Sequence, residues 1–377
     1  MNTPLLAWLF EYPTLNGGER SLLACLPALF AAGFRLLALA PPAGPLADAL
    51  AAERLRLVPV QWRDAAGRRR SLEQLRAELA GLLQSLRPNL LHANSLSMGR
   101  LSGPVARDLK IPSLAHLRDI VGLSAAAVAD LNCHARLLAV SAATRDFHTA
   151  QGVAADRLHV LHNGVDLGLF RPRPTTGWLH RQLQLPRHAL LAGTIGQLVM
   201  RKGHDVLAAA AVELADLPDL HSVIVGERYS GKAEAVEYMD RVSATFGHAG
   251  LAGRVHFLGN CSQVELLLPE LTMLVHPARQ EPLGRVLLEA AACGLPVVAT
   301  DVGGTAEIFP SGQTARLVPP GDSMLLAAAI RELAGNQRER AAMRVAVRHR
   351  AEAAFDIRQS AAGLLRHYQE VISSPNS

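Results

Sequence analysis

The sequence predicts an α/β protein with two doubly wound domains that face each other across a cleft. The chain has 377 residues, and a single core stops growing at roughly 250 to 300 residues, so two domains are expected. Hydrophobic residues make up 49% of the chain, which excludes a disordered protein and supplies apolar surface for two cores. Short apolar runs alternate with segments of helical period in both halves, as strands and crossover helices do in a parallel sheet.

Each apolar run of the first half predicts a strand, and each longer amphipathic segment predicts a helix. The predicted strands are residues 5–10, 36–40, 90–92, 113–116, 137–140 and 159–161, and the predicted helices are residues 19–32 and 71–86. This order is typical of a parallel sheet with helices on both faces. The first domain is expected to span residues 1–165.

A turn at residues 163–166 and a proline-containing stretch that continues to Pro186 predict a linker. The second half then repeats the pattern of the first. Its predicted strands are residues 190–195, 221–225, 255–257, 273–276, 297–300 and 315–318, and its predicted helices include residues 206–214 and 285–292. The second domain is expected over residues 166–355. A C-terminal helix, residues 356–372, is expected to pack back on the first domain, and residues 373–377 are expected to form a disordered tail.

Charge and cysteine content exclude several classes of function. The net charge of +5 is too small to indicate nucleic-acid binding. Four widely separated cysteines show none of the spacings of zinc or redox sites, so buried reduced thiols are expected. No apolar run approaches the ~18 residues of a membrane span, and the N-terminus lacks the basic region of a signal peptide, so a cytoplasmic location is expected.

Two glutamates eight positions apart are the most informative pattern. Glu281 lies in the loop after the predicted strand 273–276, and Glu289 is expected two turns into the following helix. Residues 283–285 begin that helix, where free backbone N–H groups favour a phosphate. One carboxylate could face a sugar while the other holds a ribose. Taken alone, the pattern fits a surface loop with two solvated glutamates equally well.

One of only three lysines follows a glycine-containing turn. Residues 193–203 end a predicted strand and begin a helix, and Arg201 and Lys202 in this stretch could neutralise a diphosphate and stabilise it as a leaving group. An exposed basic turn is the alternative. The paired Gly303 and Gly304 allow close approach of a ligand to the backbone, although a plain strand-to-helix turn is equally expected.

The first half offers weaker candidates. Gly17 and Gly18 link the first strand to the first helix, as a phosphate-cradling loop does, but they match neither the dinucleotide nor the P-loop spacing. Nicotinamide dehydrogenases and P-loop kinases therefore lose support. His116 follows a short strand and is expected either as a structural residue or as an imidazole in the cleft. His92 and Asn94, after another strand, are weaker candidates.

Together these motifs resemble retaining glycosyltransferases of the GT-B fold, in the group usually called family 4. The resemblance covers nearly the whole chain and is densest between residues 140 and 320. The matching stretches are residues 140–141, 163–166, 201–203, 281–284, 289–298 and 303–304. The resemblance implies two Rossmann-like domains and an enzyme that transfers a sugar from a UDP- or GDP-sugar with retention. It implies no metal and no cofactor beyond the nucleotide diphosphate sugar.

The same resemblance implies roles for individual residues. Glu289 would bind the ribose hydroxyls, Glu281 would contact the transferred sugar, and Lys202 would pair with the diphosphate. His116 would approach the sugar and stabilise the transition state. The backbone of residues 283–285 would cradle the distal phosphate. The remaining donor-binding residues that it implies are Gly17, Gly18, Gln197, Arg201, Asn260, Leu283, Gly284 and Arg285.

One position departs from the family pattern. The family commonly has an arginine five positions before the lysine, where this chain has Gln197. A neutral amide supplies hydrogen bonds without charge, so Arg201 or Arg285 would have to compensate for the missing cation. Donor binding and activity are the properties that this difference from the family pattern would affect.

Two other functions stay open, a nucleotide-sugar epimerase of the same architecture and a non-catalytic nucleotide-sugar binder. The acceptor is unknown, because the first domain carries the thinnest matches. Arg63 and residues 68–70, before the helix 71–86, leave open a peripheral contact with the anionic inner face of a membrane, as in cell-surface glycan or glycolipid synthesis. A solvated basic loop is the more ordinary expectation.

Overall fold

The computed structural model describes residues 3–64, 66–228, 233–248, 251, 253–310 and 312–373. The chain divides into two compact units, Met1–Gly164 with Ile357–Ser377, and Val165–Asp356. We call them the amino-terminal unit and the carboxyl-terminal unit. The tail predicted over residues 373–377 lies outside the described residues, apart from Ser373, which ends the last helix.

The described strands of the amino-terminal unit form one parallel sheet in the order β3-β2-β1-β4-β5-β6-β7. Its order reverses direction between β1 and β4, and ligands of such sheets bind at the carboxyl ends of the strands at this switch point. The elements are β1 Leu5–Leu9, α1 Gly17–Leu23, α2 Leu26–Ala31, β2 Arg35–Ala40, α3 Pro45–Ala52, β3 Arg56–Pro59, α4 Leu72–Leu86, β4 Leu90–Ala93, α5 Leu96–Asp108, β5 Ser113–Leu117, α6 Ala125–Leu131, β6 Arg136–Ala139, α7 Ala142–Thr149 and β7 Leu158–Val160.

The described strands of the carboxyl-terminal unit form a second parallel sheet, in the order β10-β9-β8-β11-β12-β13. Its switch point lies between β8 and β11. The elements are α8 Trp178–Gln182, β8 Leu190–Ile195, α9 His204–Glu213, β9 Leu220–Val225, α10 Ala233–His248, β10 Val255–Phe257, α11 Val264–Leu267, β11 Met273–His276, α12 Arg285–Ala292, β12 Val297–Thr300, α13 Thr305–Ile308, β13 Arg316–Val318, α14 Ser323–Gly335 and α15 Gln337–Ala354. Both units are therefore doubly wound and Rossmann-like.

The last helix, α16 Ile357–Ser373, belongs to the amino-terminal unit. It buries Leu364, Tyr368 and Val371 in the core on one face of that unit's sheet, where they join Trp8 of β1. The other face of the sheet is packed by the apolar sides of α4 and α5. Burial of apolar surface on both faces explains why the strands of this sheet are continuous hydrophobic runs.

The structure corrects several sequence expectations. The helix predicted over residues 19–32 is two helices, α1 and α2, because Pro27 at the start of α2 has no N–H to continue the helical hydrogen bonds. The edge strand β3, Arg56–Pro59, was missed, since its short run ends in a proline and carries weak alternation. The predicted linker contains the short helix α8. The strands β8, β10, β11 and β12 have the predicted bounds.

Candidate functional site

Two loops meet at the switch point of the carboxyl-terminal sheet. One follows β8 and ends in the 3₁₀ turn Met200–Lys202, and the other follows β11. The backbone N–H of Arg279 donates to the carbonyl oxygen of Arg201 at 2.8 Å, which joins the loops. Gly203 has a φ of +70°, and a Cβ there would lie 1.9 Å from the carbonyl oxygen of Pro277. Only glycine therefore fits at this junction.

Lys202 and Glu281 form an ion pair between these loops. The Nζ of Lys202 contacts Oε2 of Glu281, and their side chains are 12% and 8% exposed. The same oxygen accepts a hydrogen bond from Nε2 of His276 at 2.8 Å. The sequence motifs predict Lys202 and Glu281 as site residues but give no prediction for His276. The available signal was that His276 ends a strand five positions before Glu281, at the sheet edge where ligands bind.

The protonation states of this cluster follow from burial and charge. Burial alone raises the pKa of Glu281, but the charge of Lys202 and the hydrogen bond from His276 outweigh it and hold that pKa well below its usual range. Burial lowers the pKa of His276, and the nearby Lys202 lowers it further. At neutral pH the cluster thus holds a carboxylate beside a neutral imidazole.

A second carboxylate lies at the start of α12. The helix begins after Gly284, whose φ of +98° suits glycine. The Nε of Arg285 donates to Oε1 of Glu289 at 2.6 Å, and Glu289 is 8% exposed. The sequence predicts Glu289 two turns into this helix. Because α12 begins at Arg285, Glu289 lies only one turn into it. The buried Leu283 directly precedes Gly284, so residues 283–285 stand at the start of this helix.

Gln197 lies on the loop after β8 that also carries Lys202, and Asn260 lies on the loop after β10 at the same edge of this sheet. The backbone N–H of Leu198 donates to the carbonyl oxygen of Glu227 at 3.1 Å, and the N–H of Asn260 lies 3.3 Å from Oε1 of the same residue. Glu227 therefore links the loop after β8 to the loop after β10. No local sequence motif predicts Glu227 as a linking residue, because its contacts depend on the order of strands in the sheet.

The sequence predicts a loop at the paired glycines of the amino-terminal unit. In the structure these glycines are instead the first residues of α1. The helix is capped at Asn16, whose backbone N–H donates to Oε2 of Glu19 at 3.1 Å. A Cβ at Gly18 would lie 2.9 Å from Cδ of Arg118, so this glycine allows α1 to approach Arg118 closely. Gly17 is the first residue of the same helix.

Arg118 follows β5 and was not identified as a site residue from the sequence. Its guanidinium donates to Oδ1 of Asn94 at 2.9 Å and to Oδ1 of Asn163 at 2.9 Å. Burial lowers the pKa of Arg118 to about 10, a value at which the group keeps its charge at neutral pH. Arg118 and His116 line one small cavity of the amino-terminal unit. Its wall includes Ser21 and no carboxylate among the described residues.

His116 is buried and lies in a chain of hydrogen bonds. Its Nδ1 is 2.8 Å from Nε2 of His92, and Nδ1 of His92 is 2.5 Å from the hydroxyl of Tyr368. The Nε1–H of Trp8 donates to that hydroxyl at 3.1 Å. The adjacent strands β1, β4 and β5 carry three of these residues, and α16 carries the fourth.

The arginines before α4 make ion pairs inside the amino-terminal unit. This loop was the candidate for contact with an anionic surface. The three pairs are Arg68 with Asp64 at 3.0 Å, Arg69 with Glu11 at 3.7 Å and Arg70 with Glu78 at 2.7 Å. Their positive charge is therefore partly compensated. Among the helices that the structure describes, none is long and apolar enough to cross a membrane.

Two family models match the chain. The model for glycosyl transferases group 1 matches residues 179–350, and the model for glycosyltransferase family 4 matches residues 15–169. The chain therefore belongs to the group 1 glycosyl transferases of the family 4 type, as its motifs indicated. The fold of each unit agrees with this assignment.

Curated relatives support the same family. The chain is 30% identical over 306 residues to D-inositol 3-phosphate glycosyltransferase 1 of Catenulispora acidiphila. The matched region covers 75% of this chain and 72% of that protein. It is 35% identical over 172 residues to the lipopolysaccharide core biosynthesis mannosyltransferase LpcC of Rhizobium leguminosarum. That match covers 45% of this chain and 48% of the mannosyltransferase, so it spans about half of its length.

Solved structures show the same fold. HepE of Anabaena, in complex with UDP and glucose, has a TM-score of 0.83 at 23% identity and covers 97% of this chain and 99% of that one. Sucrose-phosphate synthase of Thermosynechococcus elongatus has a TM-score of 0.79 at 20% identity and covers 99% of this chain and all of that one. The GT-B fold class predicted from the sequence is thereby confirmed.

Proposed function

We propose that this chain is a retaining glycosyltransferase. It moves a sugar from a nucleotide diphosphate sugar to an acceptor bound by the amino-terminal unit. The observation that carries the proposal is the buried Lys202–Glu281 pair at the switch point of the carboxyl-terminal sheet, with Glu289 on the next helix. Its membership of a glycosyltransferase family, and relatives that act on inositol phosphate and on lipopolysaccharide core, support the same reading.

In the proposed complex the donor is held by the carboxyl-terminal unit. Glu289 accepts hydrogen bonds from the ribose hydroxyls, Glu281 contacts the transferred sugar, and the N–H groups that begin α12 hold the distal phosphate. The loop at Asn260 meets the base. HepE was solved with UDP and with UDP-glucose, so we propose a UDP-sugar first and a GDP-sugar second.

Lys202 stabilises the departing diphosphate in this proposal. Its charge is taken up by Glu281 in the present structure, and a diphosphate carries more negative charge and attracts the ammonium more strongly. His276 keeps its hydrogen bond to Glu281 and prevents that carboxylate from being left unpartnered. Charge stabilisation by these groups and by the helix start accounts for the leaving group, and the proposal contains no metal and no further cofactor.

Gln197 leaves a cation missing from the family pattern, and we propose that Arg201 replaces it. Arg285 is less suited, because its guanidinium is bonded to Glu289 at 2.6 Å. Arg201 is exposed, and no carboxylate partner for it is found among the described residues. Removing its charge in Arg201→Gln should therefore lower donor affinity.

A thermal-shift panel with UDP, GDP, ADP and TDP tests donor binding, because a ligand that binds the native state raises its melting temperature. We expect a selective shift with one nucleotide and a smaller shift for Glu289→Gln. Glu352→Gln is the matched control, since Glu352 makes the same i,i+4 pair with Arg348 at 2.6 Å in α15. Equal shifts in the two variants would contradict the ribose assignment.

Turnover and stereochemistry are tested with the donor that the panel selects. Acceptors to begin with are inositol 3-phosphate and lipopolysaccharide core, which the relatives' names point to. NMR of the product should show the anomeric configuration of the donor. Inversion would overturn the retaining mechanism, and binding without transfer to any acceptor would favour a non-catalytic nucleotide-sugar binder.

Peripheral contact with an anionic membrane and a cytoplasmic location stay predictions. Cosedimentation with vesicles of anionic lipid at low and high salt tests the first, because an electrostatic contact weakens with salt. Binding that is absent at low salt would remove the arginine loop from consideration.

A further inference from the structure

We propose that Trp8 and Tyr368, acting through His92, hold His116 in the tautomer that carries its proton on Nε2. Tyr368 is thereby a positioning residue for His116. The catalytic role of His116 rests on the proposed function. The tautomer itself does not, because it depends on residues of the amino-terminal unit alone.

Trp8 sets the direction of the first hydrogen bond. An indole Nε1–H can only donate, so the hydroxyl oxygen of Tyr368, 3.1 Å away, accepts there. Within the described residues the other partner of this hydroxyl is Nδ1 of His92, at 2.5 Å. If that nitrogen also donated, the buried hydroxyl hydrogen would have no acceptor, which is unfavourable. The hydroxyl of Tyr368 therefore donates to Nδ1 of His92.

The two imidazoles transmit this direction. Burial lowers the pKa of both His92 and His116 far below the ordinary range, and the charge of Arg118 lowers them further, so each ring is neutral and holds one N–H hydrogen. His92 accepts at Nδ1 and therefore carries its hydrogen on Nε2. That atom lies 2.8 Å from Nδ1 of His116. His116 accepts there, and its own hydrogen is on Nε2.

This tautomer limits what His116 can do. Its Nε2–H is a hydrogen-bond donor in a ring that lines the same cavity as Arg118. A donor stabilises negative charge on a substrate oxygen, whereas it cannot accept a proton at that nitrogen. In the proposed transfer His116 therefore acts as an electrophilic group, and a general base has to be sought elsewhere. The helix α16 helps to set the tautomer of His116, because it carries Tyr368, which lies 276 positions from its partner His92 in the chain.

The tautomer is measured directly in the protein without substrate. Two-bond ¹H–¹⁵N correlation spectra of histidine-labelled protein distinguish Nε2–H, Nδ1–H and doubly protonated rings. The chain has 15 histidines, and loss of one signal set in His116→Gln assigns the ring. We expect His116 as the Nε2–H tautomer between pH 6 and 8. An Nδ1–H form or an imidazolium of His116 in the wild type would overturn the proposal.

Tyr368→Phe tests the role of the phenol, since it removes only the hydroxyl. Without the phenol, Nδ1 of His92 has no partner whether or not it carries the hydrogen. His92 can then either donate to Nδ1 of His116 or accept from it, so we expect a second signal set from the Nδ1–H form of His116. Tyr238→Phe is the matched control, because it removes another buried hydroxyl, bonded to Asp205 at 2.9 Å in the carboxyl-terminal unit. It should leave the His116 signals unchanged. Wild-type signals in Tyr368→Phe would show that the phenol does not set the tautomer.

We call the hydrogen-bond chain from Trp8 through Tyr368 and His92 to His116 the relay. The results distinguish a failure of the relay from a failure of the proposed function. If His116 is the Nε2–H tautomer and no sugar is transferred, the relay stands and the transferase proposal fails. If sugar is transferred and His116 is Nδ1–H, the relay fails and the transferase proposal stands.

Discussion

Lys202→Met breaks the pair that is central to the site while keeping a side chain of similar length. Glu281 then stays buried, and among the described side chains His276 still donates to it at 2.8 Å. A carboxylate that loses its cation in a mostly buried place keeps its desolvation cost and loses most of the compensation. We therefore expect a clear loss of stability in the carboxyl-terminal unit.

The size of the loss follows from the burial of the pair. The two side chains are 12% and 8% exposed, so solvent screens their attraction only weakly. Removing one partner of a buried pair costs about 3–5 kcal/mol, and His276 favours the lower end, about 3 kcal/mol. For a unit the size of Val165–Asp356 each kcal/mol changes the melting temperature by about 2–4 °C, which gives a decrease of about 6–12 °C.

The loss should depend on pH with a definite sign. The folded pKa of Glu281 is depressed, so the pair stabilises the fold fully above the pKa of an unfolded glutamate, about 4.3, and the stabilisation disappears as pH falls through the folded value. In Lys202→Met burial raises the pKa of Glu281 instead. Protonation of Glu281 in acid therefore removes the stability loss of the variant. The difference in melting temperature should be large from pH 5 to 8 and shrink below pH 4.

Differential scanning calorimetry of wild type and variant across this pH range is the assay. Arg331→Met is the control, because it breaks an exposed pair with Asp216 and should change the melting temperature little. A decrease in Lys202→Met no larger than in the control would refute the reasoning. So would a decrease that is equally large at pH 3, since it would not come from the ionised carboxylate.

Two further predictions concern backbone strain and thiol reactivity. Gly203→Ala should lower the free energy of unfolding in urea by at least about 1–3 kcal/mol, because of its φ of +70° and the contact with Pro277. Gly247→Ala, in an open helical position of α10, should be neutral or stabilising by about 0.5–1 kcal/mol, and the opposite order would contradict the geometry. A thiol reagent should react rapidly with two cysteines in the native protein and with four in denaturant, because burial raises the pKa of two thiols to about 12. Rapid reaction of a third native thiol would contradict this. The shielded cysteines are Cys25 and Cys293, and the reactive ones are Cys133 and Cys261.

Local interactions made much of the carboxyl-terminal unit predictable. The strands β8, β11 and β12 are apolar runs bounded by turn residues, and the helix α12 begins where Gly284 permits it. Strand propensity, turn chemistry and helix starts depend on residues a few positions apart, which the sequence contains directly. For the same reason Lys202 and Glu281 could be placed at strand ends without a structure.

The sequence by itself determined the alternation of strands and helices, the family, and the pair of loops that carries Lys202 and Glu281. Only the tertiary structure decided that His276 shares a carboxylate oxygen with Lys202 and that Glu289 is bonded to Arg285. It also decided that Trp8, Tyr368 and two histidines form one chain of hydrogen bonds. The physical reason is that these contacts depend on strand order and on the packing of α16, which join residues up to 360 positions apart and leave no local pattern.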